Sequence, residues 1–275
     1  MAQTCYRHPN RETAVSCSSC GRPICPDCMT PTPVGMRCPE CMRQRTRVVS
    51  GAGAGGSGFA QAPATYVLIG LNVIAFLAEV ATGSGGLSRA TGSVVSSYSL
   101  LGSAVSEGEW YRLVTGGFLH AGFFHILMNM AALWIVGRVL EPGIGTRRFV
   151  ALYAASLLAG AFGALALTHP YEPTVGASGA IFGIFAATAV IARGRGLNAI
   201  ASEIGFLIVI NLVITFSIPG ISIGGHLGGL VGGAICAAAI VAGERGRLGP
   251  RHQLAEFTVM ALVAVFSFLG ALAVA

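Results

Sequence analysis

From Thr65 to Ala275 the chain is a succession of apolar runs, each close to the roughly 20 residues a helix needs to cross bilayer hydrocarbon. They are drawn at Thr65 to Thr82, Phe123 to Leu140, Phe149 to Leu167, Val175 to Ala192, Ala199 to Ser217, Gly224 to Gly243 and Phe257 to Ala273. Lipid offers no hydrogen bonds, so each run has to satisfy its own backbone, and the seven runs predict seven transmembrane helices. Composition agrees, because only 10% of residues are charged and 53% are hydrophobic, far from the roughly one-quarter charged content of soluble domains. The fold class expected is an all-α polytopic membrane protein.

Charge placement sets the expected orientation. The 17 basic residues are all Arg, and the one aspartate is Asp27. Arg43, Arg45, Arg47, Arg138, Arg147, Arg148, Arg193, Arg195, Arg245, Arg247 and Arg251 fall on one side of the predicted spans, against Arg89 and Arg112 on the other. The positive-inside rule then places the N-terminus in the cytoplasm and the C-terminus outside. Glu79, Glu141, Glu203 and Glu256 stand near span ends, where a charge avoids the centre of the bilayer. The net charge of +6 is thus read as topology. The N-terminal segment lacks a signal-peptide pattern. The expected location is a cell membrane, bacterial by the compact, Arg-only, Gly/Ala-rich composition, with an organelle membrane as the alternative.

Seven of the eight cysteines lie between Cys5 and Cys41. They form Cys5-x-x-His8, Cys17-x-x-Cys20, Cys25-x-x-Cys28 and Cys38-x-x-Cys41, each with the knuckle spacing of a tetrahedral zinc site. Eight ligands imply two structural Zn2+ ions, with the first and third pairs sharing one ion and the second and fourth the other. This arrangement resembles the B-box type of zinc finger. Disulfides are the alternative, disfavoured in a reducing cytoplasm. The expected domains are a zinc-binding domain over 1–47, a flexible linker over 48–64 rich in Gly, Ala and Ser, and a membrane domain over 65–275. A cytoplasmic protein partner is the favoured role for the zinc domain; without aromatic platforms or a basic recognition helix, nucleic acid is not.

The second, fourth and sixth spans all start at the outer face, and their unusual residues sit at those starts. The second opens with His120, His125 and Asn129, the last two sharing a helix face at i, i+4. The fourth opens with Gly176-Ala177-Ser178-Gly179 and the sixth with Gly224-Gly225-His226-Leu227-Gly228-Gly229. A serine hydroxyl needs an adjacent base to act as nucleophile, and His226 is the candidate. Without Lys there is no Ser/Lys pair, without a membrane Asp no twin-aspartate site, and His120 and His125 lack the Glu of a His-Glu-x-x-His motif. His125, Asn129 and the Ser178 amide can supply oxyanion donors, each worth roughly 3 to 4 kcal/mol in the transition state. Gly225, Gly229 and Gly233, with Gly224, Gly228 and Gly232, give the sixth span two small-residue faces, and Gly179 and Gly183 give the fourth one, allowing close helix approach. The connection over 83–113 carries Trp110, Tyr111 and Arg112, an interfacial cluster; a lid or an unstructured spacer is the alternative.

Taken together, Glu109-Trp110-Tyr111-Arg112, His120 with His125-Ile-Leu-Met-Asn129, Gly176-Ala-Ser178-Gly179 and Gly225-His226-Leu-Gly228-Gly229 resemble the rhomboid family over roughly Thr65 to Gly243. The resemblance implies a bundle of six core helices with a seventh appended, and an intramembrane serine endopeptidase that cleaves transmembrane protein substrates in the lipid bilayer near its outer face. It implies Ser178 as nucleophile, His226 as general base, and His125 and Asn129 at the oxyanion hole, with the fifth span controlling access. Phe182 stands where many members carry a Tyr that stacks on the histidine. A catalytically inactive relative that binds client transmembrane helices is the alternative, and a transporter is disfavoured by the shallow clustering of polar residues.

Overall fold

The computed structural model describes residues 3–32, 35–43, 58–88 and 91–275. Arg45, Arg47, Arg89 and the linker as far as residue 57 lie outside the described residues. The chain divides into two compact units, Met1–Ala54 and Gly55–Ala275.

The first unit has two small antiparallel hairpins, β1 (Gln3–Thr4) with β2 (Glu12–Thr13) and β3 (Thr30–Thr32) with β4 (Gly35–Arg37), followed by the short helix α1 (Pro39–Arg43). Its buried cluster is Ile24 and six cysteines. So small a core cannot offset the entropy of ordering the chain, and units of this size depend on cross-links or metal.

The second unit is helical: α2 (Gly58–Gln61), α3 (Pro63–Thr82), α4 (Ser93–Tyr98), α5 (Gly102–Ser106), α6 (Arg112–Thr115), α7 (Phe123–Ile144), α8 (Thr146–Leu167), α9 (Ser178–Gly194), α10 (Asn198–Ser217), α11 (Ile223–Glu244) and α12 (His252–Val274). Six of these, α3, α7, α8, α10, α11 and α12, are long and apolar enough to span a membrane. The helix in the fourth predicted span, α9, has 17 residues and is shorter. It is the central helix, buried without interruption from Ala180 to Thr188. At the other extreme, Thr215 is the one buried residue of α10.

The fourth span was expected to begin at Val175, and α9 begins three residues later, at Ser178. Thr174 is held extended by pairing with Leu100, through amide-to-carbonyl bonds of 3.0 and 2.8 Å. Gly176 follows with φ of 131°, a conformation that favours glycine. Among its described residues the connection over 83–113 is no unstructured spacer, since it carries α4 and α5 and runs into α6. Its buried Arg112 donates to the carbonyls of Ser96 and Ser99 at 3.0 and 2.9 Å and pairs with Glu109 at 2.5 Å, and that hydrogen-bonded pairing holds the Glu109 carboxyl below its ordinary range.

The predicted glycine faces are where helices meet. A Cβ on Gly229 or Gly233 would overlap the backbone of Gly179 or Gly183 of α9, and one on Gly224 or Gly228 would overlap Gly163 or Ala159 of α8. Thus α11 lies in backbone contact with α9 along one face and with α8 along the other.

Two buried carboxylates fasten the ends of helices. Glu141 of α7 accepts from the amides of Ala64 and Thr65 at 2.9 and 2.8 Å and from the hydroxyls of Thr65 and Thr146, each at 2.8 Å, so it caps the start of α3, whose first N–H groups lack helical acceptors. Glu79, near the end of α3, accepts from the His120 amide at 3.1 and 3.2 Å.

Glu141→Ala strands the two amides, at about 1–3 kcal/mol for each unsatisfied buried donor; unfolding in detergent is expected to show a matching loss, and an unchanged midpoint would refute the capping role. Gly229→Val overfills the α9–α11 contact, and a loss of about 1–3 kcal/mol is expected in the same assay.

Candidate active site and metal clusters

Ser178 is the first residue of α9 and His226 the fourth of α11. The Ser178 Oγ lies 2.8 Å from His226 Nε2. The start of α11 is fixed by Ser222, whose hydroxyl accepts from the Gly225 amide at 3.1 Å, a regular N-cap contact. His226 is only 7% exposed. The ring of Phe182, one turn along α9 from Ser178, stacks on the imidazole with centroids 4.1 Å apart and planes 16° apart. Phenylalanine therefore supplies the stacking, while the hydroxyl a tyrosine would add is missing. On the far side of the imidazole, Nδ1 is 2.7 Å from Thr215 Oγ1 of α10.

His125 and Asn129 occupy one face of α7 near its start. His125 Nδ1 accepts from the Ala121 amide at 3.3 Å, which leaves the ring proton on Nε2. The Cε1–Nε2 edge of the ring faces Gly176: a Cβ built there would fall 2.8 Å from Cε1, 2.9 Å from Nε2 and 3.5 Å from Ser178 Oγ. The missing side chain of Gly176 thus leaves a space flanked by an imidazole N–H and the serine oxygen. Asn129 is buried, and its amide nitrogen has no acceptor among the described residues. All four residues, Ser178, His226, His125 and Asn129, line one cavity of about 800 Å³. No Asp or Glu lines it among the described residues. Its walls continue along α7 (Phe124, Met128, Ile135) and along α10 (Leu207, Ile214) to Ile218 just beyond it, and these side chains are also exposed on the surface of the unit.

His120 is fully buried, with its ring edge-on to His125 at 5.1 Å. It precedes α7, held by the bond from its amide to Glu79 described above.

Sequence reasoning did not find Thr215. The available signal was a polar pair, Asn211 and Thr215, on one face of an otherwise apolar span. The small residues of α8, Gly160 and Gly163, were likewise missed, although they complete the contacts of α9 and α11.

In the first unit the eight ligand residues form two groups, Cys5, His8, Cys25 and Cys28, and Cys17, Cys20, Cys38 and Cys41. Within each group the ligand atoms all lie within 4.8 Å of one another. His8 Nδ1 is 3.8, 3.3 and 3.5 Å from the sulfurs of Cys5, Cys25 and Cys28, and the Cys20 and Cys38 sulfurs are 3.9 Å apart. A tetrahedron with metal–sulfur bonds of about 2.3 Å has edges of about 3.8 Å, and nitrogen shortens them. The donors are therefore set for metal, and the amides of Cys38 and Cys41 point at the sulfurs of Cys17 and Cys38 at 3.3 and 3.4 Å, as in a zinc knuckle. Arg22 donates to Cys20 at 3.3 Å and stacks on the ring of Tyr6 at 4.4 Å. Each group can hold one metal ion.

A profile of the rhomboid domain matches residues 107–243, a stretch that includes the loop cluster at Arg112, all four cavity residues and α7 through most of α11. Rhomboid protease GluP of Bacillus subtilis (strain 168) is 36% identical over 210 residues, covering 75% of this chain and 40% of that protein. Rhomboid-like protease 5 of Toxoplasma gondii is 33% identical over 147 residues, or 49% of this chain and 16% of that protein. RHOMBOID-like protein 5 of Arabidopsis thaliana is 35% identical over 136 residues, or 47% of this chain and 43% of that protein. The chain spans less than half the length of each of these relatives. With six apolar spans around a buried central helix, and with these relatives, the chain is a multi-pass membrane protein of the rhomboid family.

Proposed function

We propose that the membrane unit is an intramembrane serine endopeptidase in which Ser178 is the nucleophile and His226 the general base. The observation that carries this reading is the 2.8 Å contact between Ser178 Oγ and His226 Nε2 inside a cavity that also holds two spare hydrogen-bond donors. As Ser178 Oγ attacks a peptide carbonyl, its proton passes to Nε2, and the carbonyl oxygen gains negative charge. The His125 Nε2–H, the Asn129 amide and the backbone N–H of Ser178, at a helix start where no intrahelical acceptor is available, receive that charge. His226 then returns the proton to the leaving amine. Water repeats the cycle on the resulting ester, with His226 again as base. Phe182, flat against the imidazole, keeps it from rotating out of line between the two halves.

The substrates proposed are transmembrane proteins, reaching the cavity from the bilayer between α7 and α10, whose exposed apolar side chains line it. With the arginine asymmetry giving an N-terminus inside and a C-terminus outside, the cavity opens toward the outer face. Fluorophosphonate labelling of the purified chain is expected to be lost in Ser178→Ala and in His226→Ala, with cleavage of a transmembrane reporter falling by at least about 10³-fold in each; an unlabelled parent chain would remove the proposal.

For the remainder of the chain we propose a zinc module over 1–47 and a linker over 48–64, the protease occupying 65–275. The two ligand groups are read as structural zinc sites, because three or four thiolates per site suit a closed tetrahedral ion. Zinc bound there would contribute directly to the folding of a unit with so little apolar core. Elemental analysis of the full chain is expected to find two zinc ions, with His8→Ala and Cys38→Ser each removing one; equal zinc content in parent and variants would count against the assignment.

A further inference from the structure

We propose that Thr215 is the positioning residue that sets the tautomer and orientation of His226, occupying the place a carboxylate fills in a serine triad. The inference rests on the reading of Ser178 and His226 as nucleophile and base. Thr215 Oγ1 makes two short contacts, 2.7 Å to His226 Nδ1 and 2.7 Å to the carbonyl of Asn211 one turn earlier in α10. A carbonyl only accepts, so the hydroxyl proton of Thr215 is directed to Asn211. Toward His226 the same oxygen can then only accept, which requires the proton on Nδ1. A neutral imidazole carries one N–H. Nε2 is therefore left with its lone pair, 2.8 Å from the Ser178 hydroxyl, the arrangement a general base needs. The opposite tautomer would present Nε2–H to Ser178 and could not receive its proton.

Burial supports a dedicated contact. Thr215 is 2% exposed and is the one buried residue of a helix whose other side chains are partly or fully exposed. No Asp or Glu lines the cavity among the described residues, so no carboxylate competes for Nδ1. The imidazole is thereby held at three points: Ser178 at Nε2, Thr215 at Nδ1 and Phe182 over its face.

The test compares Thr215→Val, which keeps the side-chain shape and removes the hydroxyl, with Thr215→Ser, which keeps the hydroxyl. In the full chain in detergent, Thr215→Val is expected to slow fluorophosphonate labelling of Ser178 and to lower kcat on a transmembrane reporter by about 10- to 100-fold, the range for losing a hydrogen bond to a group that becomes charged. KM should not change, and Thr215→Ser should recover most of both rates. If Thr215→Val melts early, Thr215→Ala against Thr215→Ser carries the same comparison. A labelled parent whose Val and Ala variants react at the parental rate, a Ser variant as slow as Val, or an effect confined to KM would each overturn this inference alone. A parent chain that takes no label overturns the dyad reading, and this inference with it.

Discussion

Ser178 and His226 stand on different helices, and the reach of their side chains leaves room for little between them. The 2.8 Å contact exists because α9 and α11 touch backbone to backbone, with Gly229 against Gly179 and Gly233 against Gly183. Lipid tails are as apolar as leucine, so burying apolar surface does little to draw such helices together; close packing over small residues does more. The same constraint operates on the other side of α11, where Gly224 and Gly228 meet Gly163 and Ala159 of α8. α11 is thus clamped between two partners, and the depth of His226 relative to Ser178 is set by interlocking backbones.

A clamp of this kind fixes the helices but leaves their ends and connections to be secured. In the apolar interior an unpaired N–H costs several kcal/mol, and this chain answers with polar side chains turned inward onto backbone groups. Glu141 caps α3, Glu79 holds the chain just before α7, and Arg112 gathers the carbonyls of the preceding loop. The consequence reaches the cavity. The loop held by Arg112 also pairs Leu100 with Thr174, and the amide of Gly176 donates to the carbonyl of Gly116 at 3.0 Å. The strand-like approach to Ser178 is therefore built from residues far from it in sequence.

This division explains what the sequence discloses. Length and hydropathy locate the helices, and the rarity of His and Asn in apolar spans singles out His125, Asn129 and His226. The glycine spacing of α11 foretells its two packed faces. The late start of α9 is not legible, because it depends on the pairing of Thr174 with Leu100 and on the φ of Gly176, both tertiary facts. Thr215 was hidden for another reason. A threonine in a membrane helix ordinarily bonds the carbonyl four residues back, as Thr188 does with Ile184 at 2.8 Å, so nothing local marks one whose oxygen also meets a histidine. In the first unit the spacing discloses four ligand pairs, and the interleaved sharing expected of them, first with third and second with fourth, is the grouping the ligand atoms adopt.

The choice of a hydroxyl beside His226 follows from the medium. An Asp or Glu at Nδ1 would stabilise the imidazolium more strongly, but the ionised group would first have to be taken out of water, at a penalty of several kcal/mol, and in the resting state it would face a neutral ring. Thr215 carries no charge, and its proton is already spent on the Asn211 carbonyl, so holding it beside the ring strands no buried donor. In the proposed reaction, what is given up is Coulombic stabilisation of the protonated base. What is kept is direction: a hydroxyl with one committed proton is an acceptor toward the imidazole as surely as a carboxylate is, and a base in the wrong tautomer cannot act at all.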